Sequence, residues 1–203
     1  MRTKPLLVGL LLTALSLPAF AQAPAGGPPP TANVRGTIVK LDGQTLTVKT
    51  REGQTVNVAL APNAQVRALK REKLSDIKNG DFIASTSMHG KDGKLHAVEI
   101  HTLPPAAPEL QIPYDLAQGS VMTNAHVSGI AKAKNGNVIS VTYKGNSTDI
   151  VVDKSTKIVA PTDASMSDLK PHRAVFIRAT KAPDGSLSAN NVTVEKNGIK
   201  PPM

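Results

Sequence analysis

The segment Met88-His89-Gly90-Lys91-Asp92-Gly93-Lys94-Leu95-His96 gathers a thioether and two imidazoles around an Asp-Gly turn. Thioether plus imidazole is a donor set that suits copper, Cu(I) above all. Which groups face each other depends on the turn. A two-residue turn at Asp92-Gly93 sets His89 across from His96, whereas a three-residue turn with Gly93 left-handed sets Met88 across from His96. A related stretch further on, Pro183-Asp184-Gly185, suits a type I turn with Pro first and Gly left-handed, which favours the Met88 and His96 pairing. Directly opposed residues hold their Cβ atoms about 4.5 to 5.5 Å apart, near enough to share an ion. The set is incomplete, because His101 lies five residues from His96 and so points to the other face of a strand. Met122 and His126 complete it only if the intervening chain folds back over the hairpin. Copper is thus a candidate cofactor, and a polar hairpin tip with incidental His is the alternative.

A second cluster is basic. Arg67, Lys70 and Arg71 fall at helical spacing with Lys73 nearby, so on a helix they share one face and offer an anion site, diluted by Glu72 and Asp76. The region aligned with it later in the chain, Val159-Ala160-Pro161-Thr162-Asp163, carries no basic residue. The expected partner is an acidic envelope polymer, with a plain solvated surface as the alternative.

Enzyme motifs are absent: there is no Gly-x-Ser-x-Gly elbow, no His-Glu-x-x-His, no phosphate-binding Gly-rich loop ending in Lys-Ser/Thr, and no Cys nucleophile. Asp42, Asp76 and Asp168 fall at turns or helix starts, where Asp acts as a turn former or cap. The chain reads as non-enzymatic.

These residues are carried by short alternating elements. Leu46, Val48 and Thr50, a turn at Glu52-Gly53, then Val56, Val58 and Leu60 form a hairpin with one buried face. Ile139, Val141 and Tyr143, a turn around Gly145-Asn146, then Ile150 and Val152 repeat it. Residues 34–104 and 126–196 align throughout with an offset of 92 or 93: Val34-Arg35-Gly36 against Val127-Ser128-Gly129, Ser75-Asp76-Ile77-Lys78 against Ser167-Asp168-Leu169-Lys170, Asp92-Gly93 against Asp184-Gly185. A repeat turns one chain into two copies of one unit. Each copy predicts five short strands with a short helix between the third and fourth, N-capped by Ser75 or Ser167, with Phe82 and Phe176 opening the fourth strands. That order describes two tandem OB-like five-stranded barrels in an all-β chain, with another small barrel or an open meander as the alternative.

Val34-Arg35-Gly36-Thr37-Ile38, the hairpin around Gly53 and Leu74-Ser75-Asp76-Ile77-Lys78-Asn79-Gly80-Asp81-Phe82 resemble the secreted proteobacterial family catalogued as domain of unknown function 5666. The second copy departs from it at Pro171-His172-Arg173-Ala174. The resemblance implies an OB-like double domain and no activity. Similar proteins are sometimes labelled metal transporter permeases, and the label hints at a metal-related neighbourhood.

The flanks and composition set the remaining expectations. Arg2 and Lys4, the apolar stretch Leu6 to Leu17, and Ala19-Phe20-Ala21 read as a secretory signal over residues 1–21, cleaved after Ala21. The apolar stretch falls short of the roughly 20 residues that span a bilayer. Without Cys there is neither lipoprotein processing nor a disulfide, and the periplasm is the expected compartment. Residues 22–33 read as a flexible Pro/Gly-rich tether and 197–203 as a tail. Residues 105–125 carry Leu110, Ile112, Tyr114, Leu116, Val121 and Met122, too apolar for a tether, and are expected to pack against one or both barrels. The formal charge of +9 falls to +7 once Arg2 and Lys4 are removed, which permits anionic partners. Aromatic residues are 2% of the chain, so there is little platform for stacking on nucleic acid. The function expected is a non-enzymatic periplasmic binding or accessory protein, facing an envelope component or partner protein. A copper-binding accessory protein and an undetected hydrolase are the alternatives.

Overall fold

The structure, a computed structural model, describes residues 29–133 and 136–201. The expected signal over residues 1–21, most of the expected tether and the last two residues lie outside the described residues. The chain is all-β: β1 (Thr31–Asp42), β2 (Thr45–Thr50), β3 (Thr55–Arg71), β4 (Phe82–His89), β5 (Leu95–Thr102), β6 (Leu110–Tyr114), β7 (Ser120–Ala133), β8 (Gly136–Tyr143), β9 (Asn146–Val152), β10 (Lys157–Asp163), β11 (Ala174–Lys181) and β12 (Leu187–Val194). The alternation read from sequence works as a burial code, since Leu46, Val48 and Val58 are fully buried and Leu46 faces Val58 across the β2–β3 hairpin.

Strands β12-β11-β1-β2-β3 form a closed five-stranded barrel, sealed by parallel pairing of β12 with β3 from Leu187↔Val58 to Thr193↔Arg67. Its core holds Ile38, Leu46, Val48, Val58, Ile177 and Val192. The further strands run β5-β4-β7-β8-β9, and β5 meets β9 in parallel at Leu95↔Ile150 and His96↔Val151. They enclose a second apolar cluster that includes Ile83, Ile100, Val127, Ile139 and Ile150.

The units seen in sequence are not the units of pairing. Residues 34–104 do not close on themselves: β1 pairs with β11 and β3 with β12, both from the second copy, while β4 pairs with β7 and β5 with β9. The physical cause is the length of β3, which stays extended through 17 residues and carries the chain out of the ring it began. Its counterpart is broken into β9 and β10 around Asp153, whose carboxylate accepts from the Ser155 backbone N–H at 3.0 Å.

Two smaller expectations also change. The helices between third and fourth strands are single 3-10 turns, Leu74–Asp76 and Met166–Asp168, with Ser75 and Ser167 inside them rather than capping. Asp76 and Asp168 do the capping, accepting from the backbone N–H of Lys73 and Ser165, each at 2.9 Å. The end of the tether is also ordered, because β1 starts at Thr31 and pairs there with Thr180.

The two halves meet where β10 lies antiparallel to β3. Arg67 pairs with Asp163, Leu69 with Pro161 and Arg71 with Val159. At an offset of 92, Leu69 therefore pairs with its own counterpart, and an approximate twofold axis passes between Leu69 and Pro161.

Candidate functional site

A cleft of about 350 Å³ opens over this axis. One wall is the outer face of β4 and β5, with Ala84, Thr86, Glu99 and His101; the facing wall is Phe176 and Arg178 of β11, Thr193 of β12 and Arg67 of β3. Leu110, Ile112 and Tyr114 of β6, with Met122 of β7, contribute the apolar side. Strict alternation along β11 produces this arrangement: Val175 and Ile177 are fully buried in the barrel, so Phe176 and Arg178 point outward.

Glu99 is 3% exposed, yet among the described residues its carboxylate accepts no hydrogen bond. The His101 ring nitrogen Nδ1 lies 3.7 Å from it, beyond hydrogen-bond reach. Arg67 donates only to Gln65 Oε1, at 2.9 Å, and Arg178 to nothing, so among the described residues neither arginine meets a carboxylate. The cleft thus combines apolar walls with a few convergent polar groups, the usual build of a small-molecule site.

A clamp beside the cleft fixes β6. Arg35 is 3% exposed, lies over the Tyr114 ring at 5.1 Å and the Phe176 ring at 4.9 Å, and makes a bidentate pair with Asp115 at 2.8 and 2.9 Å. Asn33 donates to both oxygens of Asp115 at 3.0 Å. Arg51 donates to the carbonyls of Asp115 and Leu116 at 2.8 and 2.7 Å. From the other side, β6 pairs with β7, and Gln111 accepts from the Tyr143 hydroxyl at 2.9 Å. Burial pushes the Asp115 pKa up, but the bonds from Arg35 and Asn33 outweigh it and hold the carboxyl below its ordinary range. Burial likewise works against the charge on Arg35, and the Asp115 bond overcomes it and raises the guanidinium further. Burial raises Tyr114 against the opposing pull of Arg35.

The residues singled out from sequence are not drawn together. Arg67, Lys70 and Arg71 lie on a strand rather than a helix, so Arg67 and Arg71 stand about 13 Å apart at roughly 3.3 Å per residue. Arg67 lines the cleft, Lys70 Nζ sits 3.9 Å from Glu72, Lys73 is exposed before the 3-10 turn, and Arg71 borders a separate groove with Lys154, Lys157 and Lys200. In the Met/His hairpin, the register sets Met88 opposite His96 and His89 opposite Leu95, with Gly93 at φ 76°. His96 turns its two ring nitrogens to carboxylates, Asp92 at 3.1 Å and Asp153 at 3.6 Å. Met122 and His126 lie on β7, across β4 from this hairpin, and His126 stacks on Phe82 at 4.6 Å. Among the described residues no group of three or more His, Asp or Glu side chains is placed to hold a metal ion.

Sequence reasoning missed Glu99, His101, Phe176 and Arg178 as neighbours. A signal was present: at the offset of 92, Glu99 aligns with Asn191 and His101 with Thr193, so the fold does not require the acid or the imidazole. No family model matches the chain, and neither the curated proteins nor the solved structures hold a match to it.

Proposed function

We propose that this chain is a non-enzymatic binding protein exported to the periplasm, built from two OB-like units that jointly form one ligand cleft. The observation that carries the reading is the cleft on the approximate twofold axis, apolar in its walls and lined by the Glu99 carboxylate, to which none of the described residues donates. Neither unit supplies the cleft alone. Export and the membership in the family of unknown function 5666 rest on the leader and on the quoted motifs. No helix among the described residues is long and apolar enough to cross a membrane.

The test uses an apolar anionic dye, 1-anilinonaphthalene-8-sulfonate, with the full chain. One dye binds per chain, and Ile112→Arg, at a position 46% exposed, abolishes that binding. The added positive charge favours an anion, so loss of the dye reports blocked apolar surface. Dye binding that survives both Ile112→Arg and Leu110→Arg places the apolar site elsewhere.

A second reading is supported by the groove that Arg71 shares with Lys154, Lys157 and Lys200, four cations facing the single acid Glu72. It fits an acidic envelope polymer, with an affinity that falls as salt rises. Charge reversal at Arg71 and Lys157 lowers heparin binding more than reversal at Lys70 and Lys73.

A further inference from the structure

Resting on the cleft reading above, we infer that its ligand is a small zwitterion carrying an ammonium group and a carboxylate on an apolar body, of which a hydrophobic amino acid is the simplest form. Two unmet demands of opposite sign face the same space. Glu99 is 97% buried in the sense that 3% of it is exposed, it lines the cleft, and none of the described residues donates to it. The fully enclosed side-chain atoms without a hydrogen-bond partner among the described residues are Arg35 Nε and Thr50 Oγ1 and not the Glu99 oxygens, so the Glu99 carboxylate opens onto the cleft, where a charged donor makes the strongest bond. His101 at 3.7 Å does not supply the bond.

The facing wall has the complementary lack. Arg67 and Arg178 are exposed, line the cleft, and make no ion pair among the described residues, whereas Arg35 beside them is paired through both terminal nitrogens with Asp115. Guanidinium groups so placed suit a planar carboxylate, which they bind in a fork. Between the two polar poles, Leu110, Ile112 and Met122 offer apolar surface to a side chain. A volume of about 350 Å³ lies at the small end of ligand sites, which suits a molecule of amino-acid size and not a polymer.

The acid and the second arginine also come from different halves. Glu99 aligns with Asn191, and Arg178 aligns with Thr86, so the approximate symmetry is broken at the positions that give the cleft one negative and one positive pole. A ligand with two unlike ends is what such a site can orient.

The experiment is calorimetric titration of the full chain with L-leucine, leucinamide, which lacks the carboxylate, and 4-methylpentanoate, which lacks the ammonium. Leucine binds, and each analogue binds about tenfold more weakly, the size of one lost charge-assisted hydrogen bond. Glu99→Gln lowers leucine affinity by a similar factor and leaves 4-methylpentanoate unchanged; Arg178→Ala, on an exposed side chain without partners, lowers leucine affinity and leaves leucinamide unchanged. Should Glu99→Gln fail to fold, Arg178→Ala alone carries the test. Equal binding of leucine and 4-methylpentanoate overturns the inference. So does a failure of leucine, phenylalanine and methionine to displace a bound anilinonaphthalene dye, and in that outcome the cleft reading stands; a chain that binds no dye refutes the cleft reading itself.

Discussion

At the scale of single residues, the most heavily committed side chain is Arg35, buried between two aromatic faces and paired to a half-exposed carboxylate. Asp115→Ala leaves that guanidinium buried without a counter-charge, so thermal or urea unfolding should show a loss of about 2 kcal/mol. Arg35→Lys retains the charge but loses the fork and the planar stacking, and should also weaken the clamp. The pH response has a definite sign. Because the Asp115 pKa is lowered in the folded chain, its contribution is complete above the ordinary carboxylate range and is lost as pH falls through the lowered value. Wild type therefore loses stability on acidification more steeply than Asp115→Asn, measured as unfolding midpoint against pH. Much of this was legible: Arg35 aligns with Ser128, and the copy-to-copy contrast that flags the basic cluster flags Arg35 equally. Its partner was not legible, since Asp115 lies in the connector, which has no second copy to compare.

At the scale of elements, the strands follow from alternation, and the sequence fails where alternation is ambiguous. Arg67, Lys70 and Arg71 fit a helical face, but Val66, Ala68 and Leu69 are buried while Arg67 and Lys70 are exposed, and the run continues β3 into the seam with β10. Glycine separates the two copies in the same way. A Cβ at Gly36 would meet the Lys49 carbonyl oxygen at 2.1 Å, whereas at Gly129 the nearest atom is Ser140 Cβ at 3.8 Å. Gly36→Ala should cost at least about 2 kcal/mol by forcing β1 from β2, and Gly129→Ala should be near neutral. Equal midpoints for the two variants would contradict this pairing geometry. β6 belongs to the same scale: held by β7 on one side and by Arg35, Arg51 and Asn33 on the other, it should resist limited proteolysis between residues 106 and 122. Asp115→Ala should make that segment cleavable.

At the scale of the whole molecule, the repeat and the all-β class were visible in sequence, but which copy completes which ring was not. Either pairing buries the same alternating faces, so hydrophobic pattern cannot choose between them. The choice rests on whether β3 bends back or runs on, and Pro62-Asn63 reads as a stop in the sequence, whereas the strand runs through it while its ladder with β12 skips from Leu60 to Gln65. A chain ending at residue 104 lacks β11 and β12 and cannot close the barrel alone. Such a half should therefore populate dimers, in which β1 to β3 of one copy take β4 and β5 of another, measured by light scattering. A stable folded monomer of that half would refute the exchanged topology.

The same exchange governs the order in which the protein can become compact. The first three strands are made early, but β1 and β3 also need residues 174–194, the last two strands among the described residues. Until those arrive, β1 and β3 present open edges, and closure must span nearly the whole polymer, a high contact order that slows folding. Synthesis from the N-terminus cannot yield one finished half and then the other. The chain must instead stay protected until its final strands are present, so a chain cut short before residue 174 should aggregate on refolding, the reverse of what a first domain that closes independently would show.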